Sequence, residues 1–231
     1  MKFQSTKVKL FLLCLLALLV PRGLAAQSLE AVLNKMDVNA EAFHTTQAEF
    51  VWDQYQLVVQ ETDTQKGTIF FRRSGGEIQM AADIREPDPR YILFSEGKLK
   101  MFQPKIDQVT EYGSNPKNRS DIESFLVLGF GGRGHDLARS FDLKYLGAEK
   151  VDGIETWKIE LTPKSAKMQG WFQKIVLWID TNRGVSVQQK FFQPGGDYKL
   201  AHYSRIELNQ KLPEAAFKLK TTVKTKVITA G

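Results

Sequence analysis

Side chains able to do chemistry are few and scattered along this 231-residue chain. Its three histidines, His44, His135 and His202, stand far apart and lack the close spacing of metal ligands, and its one cysteine, Cys14, cannot form an internal disulfide. A zinc or haem site is therefore not expected, and no cofactor is implied. None of the patterns G-x-S-x-G, H-E-x-x-H or the P-loop occurs. Gly129-Phe130-Gly131-Gly132-Arg133-Gly134 does satisfy G-x-G-x-x-G. That fingerprint needs a strand before it, a helix opening on it and a βαβ unit around it, whereas the residues before it have helical spacing; a flexible glycine hinge is the better reading. Asp53, Asp83 and Asp180 fall in strand-like stretches with no facing carboxylate that sequence can identify. The chemistry expected is binding rather than catalysis.

Composition agrees with an ordinary folded protein: 42% apolar, 25% charged, with 17 Gly and 8 Pro. The formal charge of +6 first suggests a polyanion partner. Its source is local. Lys2, Lys7 and Lys9 precede an unbroken apolar run, Leu10 to Val20, which ends at Pro21-Arg22-Gly23 before the small residues Ala25 and Ala26. This is the plan of a secretory signal peptide, with cleavage expected after Ala25 or Ala26, and the run is short for a membrane span. Residues 1–26 hold four of the 32 basic side chains and none of the 26 acidic ones, so without them the charge falls from +6 to +2. A nucleic-acid partner loses its support. Cys14 leaves with the segment, which suits an oxidising compartment such as a bacterial periplasm.

The elements that must position any site are mostly strands. Ser28 can cap a first helix whose apolar positions Leu29, Val32, Leu33 and Met36 follow a 3.6-residue period to about Phe43. Thereafter short segments rich in β-branched and aromatic residues recur between turn signals. Strands are predicted near 47–60, 67–73, 78–84, 91–95, 99–103 and 108–112, then 141–146, 155–161, 172–180, 185–192 and 198–209. Links as short as Glu96-Gly97 and Asp152-Gly153 permit antiparallel pairing only. Ser120-Asp121-Ile122-Glu123 is a capping box opening a helix to about Phe130, and 165–170 has the length of one further helical turn.

The alternation within these strands says what the sheet must do. Ile78, Met80, Ala82 and Ile84 share one face, while Ile175, Leu177 and Ile179 alternate with Val176 and Trp178, so that strand is apolar on both sides. Phe70-Phe71 and Phe191-Phe192 likewise put an aromatic on each face. Either large side chains fill the concave side of such a sheet, or it encloses something apolar.

Along residues 29–219 the chain resembles the LolA-like family of periplasmic carriers of outer-membrane lipoproteins. Phe43 and Phe50 lie where that family places aromatics, and Gly67-Thr68-Ile69-Phe70-Phe71-Arg72-Arg73 is similar to its glycine, aromatic strand and basic end. Tyr91 to Pro104, through the turn Glu96-Gly97 to Phe102-Gln103-Pro104, is similar to its most recognisable stretch. Glu155 to Pro163 and Leu212-Pro213-Glu214-Ala215-Ala216-Phe217 resemble its E-L-x-P strand and closing segment.

The resemblance implies a mainly β fold with a few α-helices: an incomplete antiparallel β-barrel of about eleven strands, with helices covering the open side. It divides the chain into a signal segment 1–26, a lipid-binding half-barrel 27–220 and a C-terminal tail 221–231. It implies a monomeric periplasmic carrier, loaded with acylated lipoproteins by an inner-membrane releasing complex and emptied by an outer-membrane acceptor. Phe50, Trp52, Phe70, Met80, Ile92, Phe94, Met101 and Trp157 are the expected cavity lining, and helices 29–43 and 120–130 the expected cover. The family arginine that latches its lid falls on Arg73, with Arg72 adjacent; the proline that usually follows it is replaced here by Ser74-Gly75-Gly76. The alternatives are a carrier of another lipid (a glycolipid or polycyclic lipid), a lipoprotein-sensing regulator, and a lipid hydrolase, which would need a Ser/His or paired-acid site.

Overall fold

The computed structural model describes residues 22–74, 77–112 and 128–230. Helix α1 (Arg22–Ala42) leads into β1 (Thr45–Gln56), β2 (Glu61–Ser74), β3 (Glu77–Glu86), β4 (Arg90–Ser95), β5 (Lys98–Gln103) and β6 (Gln108–Tyr112). A second series follows: helix α2 (Gly134–Ser140), β7 (Phe141–Val151), β8 (Ile154–Pro163), the short helix α3 (Ala166–Gln169), β9 (Lys174–Asp180), β10 (Ser186–Phe192) and β11 (Tyr198–Leu208). After a 3-10 turn at Glu214–Phe217 the chain ends in β12 (Lys226–Ala230).

All twelve strands lie in one sheet, ordered β12-β6-β5-β4-β3-β2-β1-β11-β10-β9-β8-β7. Two meanders are thus sewn together where β1 pairs antiparallel with β11, Trp52 facing Ala201 and Phe50 facing Tyr203. β7 and β12 stand at opposite ends of the order, so the sheet is an open, incomplete barrel.

Helix α1 ends where its periodicity fades but begins earlier than Ser28. β1 stops at Gln56 rather than Gln60: the apolar Leu57-Val58-Val59 reads as strand, yet the chain turns there, Gln60 takes a positive φ of 56°, and Val58 is 94% exposed. β2 starts six residues earlier than expected, because the polar run from Glu61 pairs with β1 without burying side chains. The twelfth strand lies in what the sequence suggested was a tail. It pairs parallel with β6 and leaves most of its side chains exposed, so it has no alternation to betray it. The capping box at Ser120 lies outside the described residues; of the helix expected there, only 128–130 are described, and they form a turn.

Both faces of the sheet are covered. Phe70, Tyr91 and the buried Ala81 and Leu93 meet Leu212, Ala216, Phe217 and Leu219 on the convex face. Arg72 fastens that segment, its guanidinium 4.1 Å above the Phe217 ring and 2.9 Å from the Glu214 carboxylate. On the concave face Val32 and Met36 of α1 pack with Leu137 on Ile159, Leu161, Ile175, Leu177 and Ile179, filling the β7–β9 half. Among the described residues, the β1–β4 half is covered by Phe43 and Phe130 against Phe50, Ile69, Phe71, Met80 and Phe94.

Gly67 permits this second half to close. It sits opposite Phe50 in the β1–β2 register, and a Cβ there would stand 2.7 Å from the Phe50 Cζ and collide with the Asp83 carbonyl. Overpacking of this kind costs about 1–3 kcal/mol. Gly67→Ala is therefore expected to lower the unfolding free energy by that amount in denaturant titrations; an unchanged midpoint would show that the backbone yields there.

Candidate functional site

Between the two concave halves lies a cavity of about 270 Å³. Its walls come from β1, β2 and β3 (Trp52, Ile69, Phe71, Met80), from β10 and β11 (Gln189, Phe191, Ala201, Tyr203) and from Phe172 just before β9. Leu128 and Phe130 line the side belonging to the covering loop. Strand alternation puts these side chains on one face: Ile69 and Phe71 turn inward, while Phe70 between them turns outward. Gln54, Gln65 and Lys199 form a polar rim at the end toward the β1–β2 turn, Gln54 opposite Lys199 in the register.

The interior is aromatic and tightly ordered. Phe71 stacks on Phe130 at 5.2 Å, and Tyr203 meets Phe130 edge-on at 4.7 Å. Phe50 stacks on Trp52 at 4.0 Å. Burial pushes the Tyr203 phenol far above its ordinary pKa, so it remains a neutral hydrogen-bonding group. Among the described residues no group of histidine, cysteine and acidic side chains converges as a metal ion would require.

The sequence-predicted lining divides into three groups. Trp52 and Met80 border the cavity itself. Phe50, Phe94 and Ile92 lie on the same face in the cluster that backs it, and Met101 pairs with Ile92 in the β4–β5 register. Trp157 packs with the β7–β9 half, and Phe70 points to the opposite face beneath the C-terminal segment. Residues on that face are excluded from the cavity by the two-residue period alone. Sequence reasoning did not single out Phe130, Gln189 or Tyr203. Gln189 and Tyr203 are polar or half-polar residues in strands with no obvious inward face, and Phe130 sits in the glycine run.

That run is a close-packed buried connection rather than a loose hinge. Leu128 to Gly131 are buried, and Gly131, at φ +86°, brings the backbone so near Phe43 that a Cβ would lie 2.6 Å from the ring. Gly134 abuts the Leu33 carbonyl of α1 in the same way, at 2.6 Å. The helix that follows the run leads into β7, which pairs antiparallel with β8, so the G-x-G-x-x-G spacing serves packing against α1 and not a βαβ phosphate site.

Polar contacts hold this cover in place. Arg73 extends from the inward face of β2 and donates from Nη1 to the Ala40 carbonyl (3.1 Å) and from Nη2 to the Gly131 carbonyl (3.3 Å), with its Cζ 5.4 Å from the Phe43 ring. One side chain thus ties the end of α1 to the covering loop, whereas Arg72, one residue earlier, faces the other way. Gln189 adds an anchor from below, its Nε2 donating to the Leu128 carbonyl at 2.6 Å. At the far side His135 joins α2 to α1, Nδ1 lying 2.6 Å from Asp37 and Nε2 3.2 Å from Glu30, while Arg133 approaches Asp37 and Glu41.

A family model described only as "-like: Uncharacterized protein" matches residues 95–227. No curated protein matches the sequence. Among solved structures the chain is similar to an uncharacterized conserved protein from Thermus thermophilus, at 10% identity, covering 87% of this chain and 98% of that one with a TM-score of 0.56. It is also similar to MucB in the Pseudomonas aeruginosa MucA/MucB complex, at 14% identity, 84% of this chain and a TM-score of 0.52; the chain spans 61% of that structure's length. A LolA superfamily protein from Nitrosomonas europaea is also similar, at 17% identity, 84% of this chain, 98% of that one and a TM-score of 0.41. With the first two, at 10% and 14% identity, what is shared is the fold alone.

The His135 contacts make the joint between the helices dependent on pH. The Asp37 hydrogen bond, then Glu30, raise the imidazole pKa above its ordinary 6.5. A raised value means that this stabilisation is complete below pH 6.5 and fades as pH climbs through the folded-state pKa. The melting temperature of His135→Gln is expected to lie below that of the wild type in mild acid, with the gap narrowing above neutrality. A gap independent of pH would remove the imidazolium from the joint.

Proposed function

We infer that this chain, which belongs to the family whose model matches residues 95–227, is a lipid-binding carrier of the periplasm rather than an enzyme. The observation that carries the reading is the aromatic concave cavity, roofed by a loop that a few polar contacts hold shut. The cargo we propose is the acyl portion of lipoproteins, taken from an inner-membrane complex and passed to an outer-membrane acceptor. The basic-apolar-small pattern of residues 1–26 supports the compartment, and the sequence resemblance supports the cargo and its partners.

Magnitudes favour a carrier that fits its guest loosely. Each buried methylene is worth about 0.8 kcal/mol, so a chain of about 16 carbons represents roughly 12 kcal/mol. Several chains held with full complementarity would exceed the practical ceiling of affinity, about 18–21 kcal/mol, and could not be released. A cavity of about 270 Å³ is smaller than the roughly 300–1,000 Å³ of sites for drug-sized ligands. A multi-chain cargo therefore requires the roof to lift. Breaking the bonds from Arg73 and Gln189 to Ala40, Gly131 and Leu128 is a modest cost, which the buried hydrocarbon offsets. When the guest leaves, Phe130 and Phe43 return to Phe71 and recover part of the burial.

The similarity to MucB, solved in complex with MucA, supports a second reading in which the guest governs binding to a protein partner. Native mass spectrometry of the protein isolated from its own cells separates the two. A lipid adduct without a protein partner fits the carrier, whereas a stoichiometric co-purifying protein fits the regulator.

Ala201 lines the cavity opposite Trp52, so Ala201→Phe places a ring in the space itself. It is expected to weaken binding of a fluorescent fatty acid at least tenfold while the circular dichroism spectrum is retained. Undiminished binding by a folded variant would locate the lipid elsewhere.

A further inference from the structure

The cavity wall holds a polar cluster that a plain hydrocarbon guest does not need. Trp52 pairs with Ala201 of β11, Ala201 pairs with Gln189 of β10, and Tyr203 lies two residues along β11 on the same inward face. The register therefore gathers Trp52, Gln189 and Tyr203 into one patch. Gln189 and Tyr203 are 4% and 6% exposed, and the Trp52 indole nitrogen is buried.

Their hydrogen bonds do not add up. Gln189 commits its Nε2 to the Leu128 carbonyl at 2.6 Å. Tyr203 Oη donates to Gln189 Oε1 at 3.4 Å, beyond the roughly 2.5–3.0 Å of a well-formed O–H···O bond. The Trp52 N–H is directed toward the Tyr203 hydroxyl but makes no hydrogen bond of normal geometry among the described residues. Among the described residues one buried donor lacks a well-formed hydrogen bond and another makes a stretched one, both in side chains that border the cavity. Buried polar groups are paired in the great majority of native proteins, and an orphan at a binding site points to a partner supplied from outside.

We propose that Trp52 Nε1 and Tyr203 Oη form a polar subsite that receives the carbonyl oxygen of an acyl ester or amide, the Tyr203 hydroxyl turning its one proton from the long contact with Gln189 Oε1 to the guest. This inference rests on the lipid-binding reading and adds selectivity to it. The cavity distinguishes an acyl chain that carries a carbonyl from a hydrocarbon of the same length. The polar group also sets the depth to which the chain enters, because the oxygen stops at Trp52 while the tail runs on toward Met80 and Phe71.

The test uses methyl decanoate and decane as probes on the full chain, each displacing a fluorescent fatty acid. Losing one hydrogen bond is expected to lower the ester-to-alkane affinity ratio about fivefold in Tyr203→Phe and in Trp52→Phe. In the wild type, methyl decanoate is expected to shift the Trp52 indole N–H resonance downfield, and decane to leave it near its starting position. Trp52→Phe assigns that resonance among the four tryptophans. The resonance shift needs no variant for its reading, so a poorly folded substitution does not spoil the test. Equal ratios in all three proteins, or an indole shift of the same size with both probes, would overturn the subsite and leave the lipid carrier standing. Failure of both probes to displace the fatty acid would overturn the carrier reading and the subsite with it.

Discussion

A sheet that is apolar on both faces must be covered on both, and everything else in this molecule answers that constraint. β9 states it most plainly, with Ile175, Leu177 and Ile179 buried on one side and Val176 and Trp178 on the other. Over β2–β4 the convex face is closed by the chain's own last segment, which ends as a strand beside β6, while the outward Val176 and Trp178 cluster with Val151 and Val187 of neighbouring segments. The concave face is closed unevenly. Among the described residues, α1 and the short α2 cover the β7–β9 half, and Phe43 and Phe130 cover the β1–β4 half. The cavity lies between the two halves, with side chains of both in its walls.

How that thin cover is fastened separates it from ordinary core. The packing of α1 on β8 and β9 is apolar, and lifting it would expose a whole helical face. The loop at 128–131 adds polar ties to the burial of Leu128 and Phe130, its carbonyl oxygens accepting from Arg73 and Gln189. Hydrogen bonds exchange with water at little net cost, whereas apolar burial does not. Arg72 and Arg73 illustrate how strand geometry separates two jobs: adjacent in sequence, they emerge on opposite faces, one securing the C-terminal segment and the other the roof.

Much of this was legible beforehand because the strands advertise themselves. Composition and turn signals identified eleven of the twelve described strands, alternation put Ile78, Met80, Ala82 and Ile84 of β3 on one face, and the resemblance along residues 29–219 implied the open barrel. The failures have physical causes. Leu57-Val58-Val59 has strand composition at the tip of a hairpin, where the turn prevails over propensity. The polar start of β2 and all of β12 are held by backbone pairing, which leaves no mark on side-chain pattern. The glycine run could be taken as a hinge because sequence shows only that its residues lack side chains. It does not show that Phe43 and Leu33 occupy the vacated space.

The sequence by itself determined which residues alternate, where most of the turns fall, and that the strand at 172–180 is apolar on both faces. Those are properties of neighbours along the chain, and local periodicity records them. Only the tertiary structure decided that Phe71 rather than Phe70 meets the cavity, and that Trp157 belongs to the filled half. It also decided that Trp52, Gln189 and Tyr203, drawn from three strands, share one wall. These depend on pairing between β1 and β11, about 150 residues apart in the chain, and on the register that pairing adopts. Register between distant strands is settled by the packing of the whole sheet, so no local stretch of sequence contains it.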